Sequence, residues 1–216
     1  MFEGGGEGII LHQHKIVYWV VPKCGCTSIK AWVARNLDIS LKGKENKDLH
    51  DLPFERTYSW NAYPNYFHFA VVRPALERLY SLWKDKVKPE ERNNLLYERG
   101  LERGVLARFY PRMYAGMPFY EFVNVVCATP YSEADPHFLP QHMLRPSKNI
   151  YLIGLSSLQD EMTKISRIFD MCVFYEARHV LSYDREEMHK TLDDLPVETR
   201  QNFQMWEEGK ALDNQE

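Results

Sequence analysis

The sequence lacks a long hydrophobic run and has few cysteines. No stretch reaches the roughly 18 consecutive apolar residues of a membrane-spanning helix, so no transmembrane segment is expected. The acidic, glycine-rich start, MFEGGGEG, is unlike a secretory signal. Four scattered cysteines are too few for a disulfide scaffold and fit a reduced protein. We therefore expect a cytoplasmic or otherwise soluble protein, with no signal peptide or membrane anchor in this chain.

The chain also lacks an excess of positive charge. Its formal net charge is -3, which disfavours generic nucleic-acid binding, and no nucleic-acid partner is expected. The 216 residues are 44% hydrophobic and 13% aromatic, an ordinary globular composition that suits one domain. We predict a flexible N-terminus at residues 1–14, a single domain at 15–210 and a frayed tail at 211–216.

Short apolar runs alternate with segments of helical spacing. Strands are predicted at 15–21, 66–73 and 150–154, and each is followed by a predicted helix, at 27–37, 75–87 and 157–169. Further helices are predicted at 95–110 and 119–127, and a long loop at 40–65. This alternation predicts an α/β fold whose central parallel sheet is covered on both faces.

The first strand leads through a tight loop into a helix, in the sequence KIVYWVVPKCGCTSIK at residues 15–30. Backbone amides at a helix N-terminus and the helix dipole attract anions, and Lys23 adds a full charge. We therefore predict a phosphate-like anion site formed by six loop and helix residues: Lys23, Cys24, Gly25, Cys26, Thr27 and Ser28. The lysine precedes the single glycine, unlike in a Walker A sequence, which argues against an ordinary ATPase or kinase.

A second anion site is predicted where the second strand ends. Arg73 lies at the carboxyl end of that strand, where ligands bind in open α/β sheets, and Ser81 lies about two turns into the next helix. An arginine fork and a serine hydroxyl suit a second phosphate. Arg78, between them, is interpreted as structural.

These two elements, in this order, resemble the PAPS-dependent sulfotransferases of the carbohydrate type, sulfotransferase family 2. That family binds the 5′-phosphosulfate with P-K-x-G-x-T-S-x-x-K, which residues 22–30 match, and the 3′-phosphate with V-R-x-P-x-E-R-L-x-S, which residues 72–81 resemble without the residue between arginine and proline. Weaker similarities are those of 135–141 to H-W-x-P-Q and of 151–154 to Y-D-x-I-G. The resemblance covers about residues 15–165.

The resemblance implies the fold of the P-loop-containing nucleotide hydrolases, a three-layer sandwich around a central parallel sheet. It implies transfer of a sulfuryl group from PAPS to a hydroxyl acceptor, by default a glycan, with release of 3′,5′-ADP and no required metal. Lys23 would be the catalytic cation beside the bridging oxygen, and Arg73 and Ser81 would clamp the 3′-phosphate. A smaller hydroxylated metabolite is the alternative acceptor.

The general base is assigned first to His50, which lies in the long loop between the two motifs, and then in order to His137, Glu55 and His68. The pair Cys24 and Cys26 is interpreted as loop residues, because no second nearby pair of ligands completes a zinc site. Two other functions stay open at this point. They are a P-loop kinase-like phosphotransferase and a catalytically silent nucleotide-binding protein.

Overall fold

The computed structural model describes residues 6–44, 46–88, 107–109, 112–174 and 184–209. The chain divides into two compact units. The first consists of Met1–Arg73 and Gln141–Val180, and the second of Pro74–Pro140 and Leu181–Glu216. Within the described ranges, no helix combines the length and apolar character that crossing a membrane requires.

The first unit contains a five-stranded sheet. Its strands are β1 Gly8–Leu11, β2 Ile16–Trp19, β3 Arg56–Thr57, β4 Phe67–Val72 and β5 Tyr151–Gly154, in the order β3-β1-β2-β4-β5. β2, β4 and β5 are parallel, as the alternating strands and helices predicted, and their register aligns Tyr18 with Phe69 and Phe69 with Tyr151. β1 is antiparallel to both β2 and β3, so the sheet is mixed, and the prediction of a parallel sheet was wrong at this edge.

The prediction of a flexible segment at 1–14 was also wrong for the residues that form β1. Ile9, Ile10 and Leu11 are almost completely buried, and they pair with β2 through a short turn. Lys15 completes that turn with a positive φ of 53°. Burying three adjacent apolar side chains outweighs the preference of the glycine-rich neighbours for disorder.

The described residues contain six α-helices, and four of them match helices that the sequence predicted. The six are α1 Cys26–Asn36, α2 Ala75–Lys86, α3 Phe119–Cys127, α4 Leu158–Ile168, α5 Arg185–Asp193 and α6 Val197–Glu207. The predicted helix at 95–110 lies mostly outside the described residues, which show only a short 3₁₀ turn, Ala107–Phe109. The predicted loop at 40–65 contains the 3₁₀ turn Asn46–His50 and the short β3.

The core of the first unit holds α1 against the sheet. Trp32 of α1 is fully buried and contacts Phe69 and Phe174 edge-on, and its indole N–H donates to the carbonyl of Cys172 at 2.8 Å. Tyr18 stacks on Phe69 with ring centroids 5.1 Å apart. Aromatic pairs in these geometries add to the free energy gained from burial. The start of α1 is therefore fixed at the carboxyl end of β2.

The second unit is helical in its described residues. Tyr80 and Trp83 of α2 pack on Phe119 of α3, with ring centroids 5.6 and 5.3 Å away, and the indole N–H of Trp83 donates to the carbonyl of Met117 at 2.7 Å. Lys84 of α2 pairs with Glu187 of α5 at 3.0 Å. These contacts hold α2, the helix that carries Arg78 and Ser81, in place within the second unit.

Candidate active site

The loop between β2 and α1 has two residues in left-handed conformations. Lys23 has φ 66°, and Gly25 has φ 74°. A Cβ atom added to Gly25 would lie only 3.1 Å from Leu158 Cδ2 and 3.2 Å from Leu155 Cδ1. Glycine is therefore favoured here both by the backbone conformation and by the close approach of these side chains. The loop turns tightly enough for its backbone to line the start of α1.

The N-terminus of α1 has the electrostatic character of an anion site. The helix begins at Cys26 after Gly25, without a side-chain cap and without an acidic residue in its first turn. Thr27 lies half-buried in that turn, and Ser28 is buried. The helix dipole places partial positive charge at this end, beside the half-buried Lys23. The residues predicted to bind the first anion thus form one short, continuous element.

Arg73 follows β4 directly and is buried, as its predicted place at the strand end requires. Its backbone N–H donates to Oε1 of Gln141 at 3.0 Å, and its carbonyl accepts from Nε2 of Gln141 at 2.7 Å. The thiol of Cys24 donates to the same Oε1 at 3.6 Å. Gln141 therefore connects the anion loop to the start of the second motif. Sequence reasoning assigned no role to Gln141, which is the last residue of the weak similarity at 135–141.

The loop histidine His50 contacts the last residue of the first motif. Nζ of the buried Lys30 lies 3.2 Å from Nδ1 of His50 and 3.9 Å from Oε1 of Glu7. An ammonium group only donates, so Nδ1 accepts and the hydrogen of the neutral ring lies on Nε2. Arg56 donates to the carbonyl of His50 at 3.2 Å, which holds the backbone of this exposed residue.

The other base candidates of the first unit have structural partners. The carboxylate of Glu55 is 2.9 Å from Nε2 of His12, in an exposed pair. His68 is buried, and its Nδ1 accepts from the indole N–H of Trp19 at 3.0 Å while its Nε2 donates to the carbonyl of Tyr63 at 2.8 Å. Both ring nitrogens of His68 are engaged. A structural role explains His68 fully.

In the second unit, Arg78 and Ser81 are both buried in α2. Arg78 donates to the carbonyl of Leu139 at 2.7 Å and to that of Pro136 at 2.8 Å. These bonds confirm that Arg78 has a structural role. They hold the turn that contains His137.

His137 is oriented by a carboxylate two residues before it. Oδ1 of Asp135 accepts from the backbone N–H of His137 at 2.9 Å and from its Nδ1 at 2.7 Å. Burial alone would raise the pKa of Asp135, but these hydrogen bonds and the charges of His137 and Arg108 outweigh burial and lower that pKa. The ionised carboxylate fixes the ring hydrogen on Nδ1, which leaves Nε2 as the lone-pair nitrogen. His50 and His137 are thus held in opposite tautomers.

The predicted site residues divide between the two units. The six residues of the anion loop, His50, Glu55 and Arg73 belong to the first unit, and Ser81 and His137 belong to the second. Gln141 joins Arg73 to the anion loop, whereas the pairing of Arg73 with Ser81 stays a prediction. In the described ranges, no three His, Cys, Asp or Glu side chains group as a metal site.

A tight loop with a lysine, an uncapped helix start and a buried arginine at the next strand end are features that suit an anionic ligand. The chain matches the model of the Sulfotransferase family over residues 7–207, which is most of its length, and it therefore belongs to sulfotransferase family 2. No curated protein and no solved structure matches it. Membership assigns sulfuryl transfer to a hydroxyl-bearing acceptor as its general chemistry.

Proposed function

We propose that this protein transfers the sulfuryl group of PAPS to a hydroxyl of a carbohydrate and releases 3′,5′-ADP. One observation carries the proposal. The elements that resemble the family's 5′-phosphosulfate and 3′-phosphate motifs contain Cys24 and Arg73, and here both residues bond to the side-chain amide of Gln141. Two anion sites so close together suit a nucleotide with phosphates at both ribose ends.

The chemistry of the donor set fits such a nucleotide. The first-turn amides of α1, Lys23 and the hydroxyls of Thr27 and Ser28 would hold the 5′-phosphosulfate. The guanidinium of Arg73 and the hydroxyl of Ser81 would hold the 3′-phosphate. The α1 start has no acidic residue that would repel the ligand. The proposal assigns no metal, since Lys23 and the helix dipole supply the positive charge.

Sulfuryl transfer forms a bond between the acceptor oxygen and sulfur and breaks the bond between sulfur and the bridging oxygen. The electron pair of the broken bond remains on the 5′-phosphate, and the acceptor proton goes to a general base. Lys23 would stabilise the charge that grows on the bridging oxygen. One such donor contributes about 3–4 kcal/mol to transition-state stabilisation.

The general base is either His50 or His137. His50 is supported by its place in the loop between the two motifs, although its Nδ1 already accepts from Lys30. His137 is supported by Asp135, which would stabilise the imidazolium that forms on proton transfer. Glu55 is the third candidate, and its carboxylate forms an exposed pair with His12.

Two asparagine variants separate the histidines. His50→Asn and His137→Asn each place an amide where Nδ1 lies, so that a partner for Lys30 or Asp135 is kept while the basic ring is lost. The variant of the true base should lose turnover and keep its affinity for 3′,5′-ADP. Near wild-type turnover in both variants would remove both assignments.

The function itself is tested by thermal shift and by product release. We expect 3′,5′-ADP to stabilise the protein more than 5′-AMP or ATP does, because at equal concentration a ligand that binds more tightly raises the apparent stability more. Arg73→Met should abolish the preference for 3′,5′-ADP over 5′-AMP. An equal or stronger response to ATP would instead indicate a kinase-like phosphotransferase.

A screen of carbohydrates and small hydroxylated metabolites with labelled PAPS then identifies the acceptor. Release of 3′,5′-ADP that depends on a carbohydrate would support the proposal. Release that depends only on a small metabolite would move the acceptor to that class. Selective binding of 3′,5′-ADP without any acceptor-dependent release would identify a silent nucleotide-binding protein.

A further inference from the structure

We propose that Gln141 is a positioning residue that couples the two anion-binding loops, an inference that rests on the proposed function. It would hold the backbone of Arg73 at a fixed place relative to the loop of Lys23, Cys24 and Gly25. The separation of the two bound phosphates would then be set by one side-chain amide. The selectivity for a nucleotide with a 3′-phosphate would depend on that separation.

The side-chain amide of Gln141 extends the hydrogen bonding of the sheet by one residue beyond the end of β4. The last paired residues of β4 and β5 are Val72 and Gly154, and Arg73 is the next residue along β4. Gln141 both accepts from the N–H of Arg73, at 3.0 Å, and donates to its carbonyl, at 2.7 Å. A side chain thus makes the pair of bonds that a neighbouring strand would make. These two bonds hold the backbone of Arg73 just beyond the end of the strand.

The same amide oxygen reaches the anion loop. Oε1 of Gln141 accepts a second bond, from the thiol of Cys24 at 3.6 Å. Cys24 is fully buried, and Gln141 and Arg73 are each 9% exposed, so water cannot readily replace any of these bonds. A buried amide whose bonds connect two segments far apart in sequence keeps them together, because separating them leaves polar groups unpaired.

Two variants of Gln141 and one matched control test the proposal. Gln141→Leu removes all three bonds at similar volume. Gln141→Glu keeps the acceptor but loses the donor to Arg73 when it is ionised, and regains a donor when it is protonated. Gln159→Leu is the control, since Nε2 of Gln159 also donates to a backbone carbonyl in the first unit, that of Phe174 at 3.1 Å, and its hydrogen bonds reach Phe174 and Thr163 rather than the two loops.

Dissociation constants for 3′,5′-ADP and 5′-AMP are measured by calorimetry on the full chain. Gln141→Leu should raise the dissociation constant of 3′,5′-ADP about tenfold or more. It should also bring the dissociation constants of 3′,5′-ADP and 5′-AMP closer together. Gln159→Leu should leave the ratio of the two dissociation constants unchanged. The loss in Gln141→Glu should grow as the pH rises, because the ionised side chain loses its donor and repels the ligand. A purely structural glutamine would lower stability without changing the ratio or its pH dependence.

A folded Gln141→Leu or Gln141→Glu protein could still bind 3′,5′-ADP with wild-type affinity and with the wild-type ratio of the two dissociation constants. That result would refute the coupling role of Gln141 and would leave the proposed function unaffected. A wild-type protein that does not bind 3′,5′-ADP would overturn the proposed function. The labelling rate of Cys24 by a thiol reagent, mapped by mass spectrometry without ligand, then decides on the coupling. Faster labelling in Gln141→Leu than in Gln159→Leu supports it, and equal rates refute it.

Discussion

Replacing Arg78 with methionine should destabilise the protein through two lost hydrogen bonds. Arg78 is only 3% exposed, and its guanidinium donates to the carbonyls of Leu139 and Pro136 at 2.7 and 2.8 Å. Methionine keeps the apolar stem of the side chain and removes both donors. The change therefore measures what the guanidinium contributes beyond the apolar stem.

The expected loss follows from the charge and burial of these bonds. A hydrogen bond from a charged donor contributes about 1.5–3 kcal/mol, so two bonds give roughly 3–6 kcal/mol. The buried methionine recovers part of this through packing, and we expect a net loss of about 3 kcal/mol. With a urea dependence of about 2–3 kcal/mol per molar, the unfolding midpoint should fall by about 1–1.5 M.

Urea denaturation followed by tryptophan fluorescence measures this shift, and Arg200→Met is the matched control. Arg200 also donates to two backbone carbonyls of the second unit, those of Leu195 at 3.1 Å and Asp193 at 3.0 Å, but it is exposed. Water can replace its bonds, so its loss should stay below about 1 kcal/mol. Equal midpoints for the two variants would refute the argument from burial.

Three further predictions concern the candidate site. Gly25→Ala should lower the free energy of unfolding by about 1–2 kcal/mol, because alanine is strained at φ 74° and its Cβ would approach Leu158; an unchanged thermal midpoint would contradict this. Asp135→Asn should lower the free energy of unfolding above pH ~4, the ordinary carboxyl pKa. This loss should vanish as the pH falls through the lowered pKa of Asp135, and a difference between the two proteins that stays constant with pH would contradict the prediction. Lys23→Ala should reduce turnover about 100–1000-fold while 3′,5′-ADP affinity falls less, and a near wild-type turnover number would exclude Lys23 as the catalytic cation.

The parallel part of the fold was predictable because its elements have strong patterns. The run of β-branched and aromatic residues at 15–21 predicted β2, and helical spacing at 27–37 predicted α1, each within a few residues of the observed ends. β1 was missed because four residues, GIIL, follow a glycine-rich start and show no period. β3 has two residues, too few for any pattern. Such strands exist only through their neighbours in the sheet.

The candidate site was predictable where it is continuous in sequence and not where it depends on distant contacts. The anion loop and Arg73 lie where the motifs placed them, at the carboxyl ends of β2 and β4. Gln141 is separated by 68 residues from Arg73 and by 117 from Cys24, so no spacing rule connects them. The pairing of Lys30 with His50 is also long-range. A sequence motif identifies the residues within it, whereas the hydrogen-bond partners of those residues depend on the fold.

From the hydrogen bonds of the two histidines we propose His137 before His50 as the base, the reverse of the order that the sequence suggested. For Nδ1 of His50 to take a proton, Lys30 must first leave it. For Nε2 to take one, the ring hydrogen must face the ammonium of Lys30, which places two donors together. His137 has no such conflict, because Asp135 already accepts from Nδ1 and stabilises the protonated ring. If His50→Asn alone abolishes turnover, the contact between Lys30 and His50 must break before the acceptor is deprotonated.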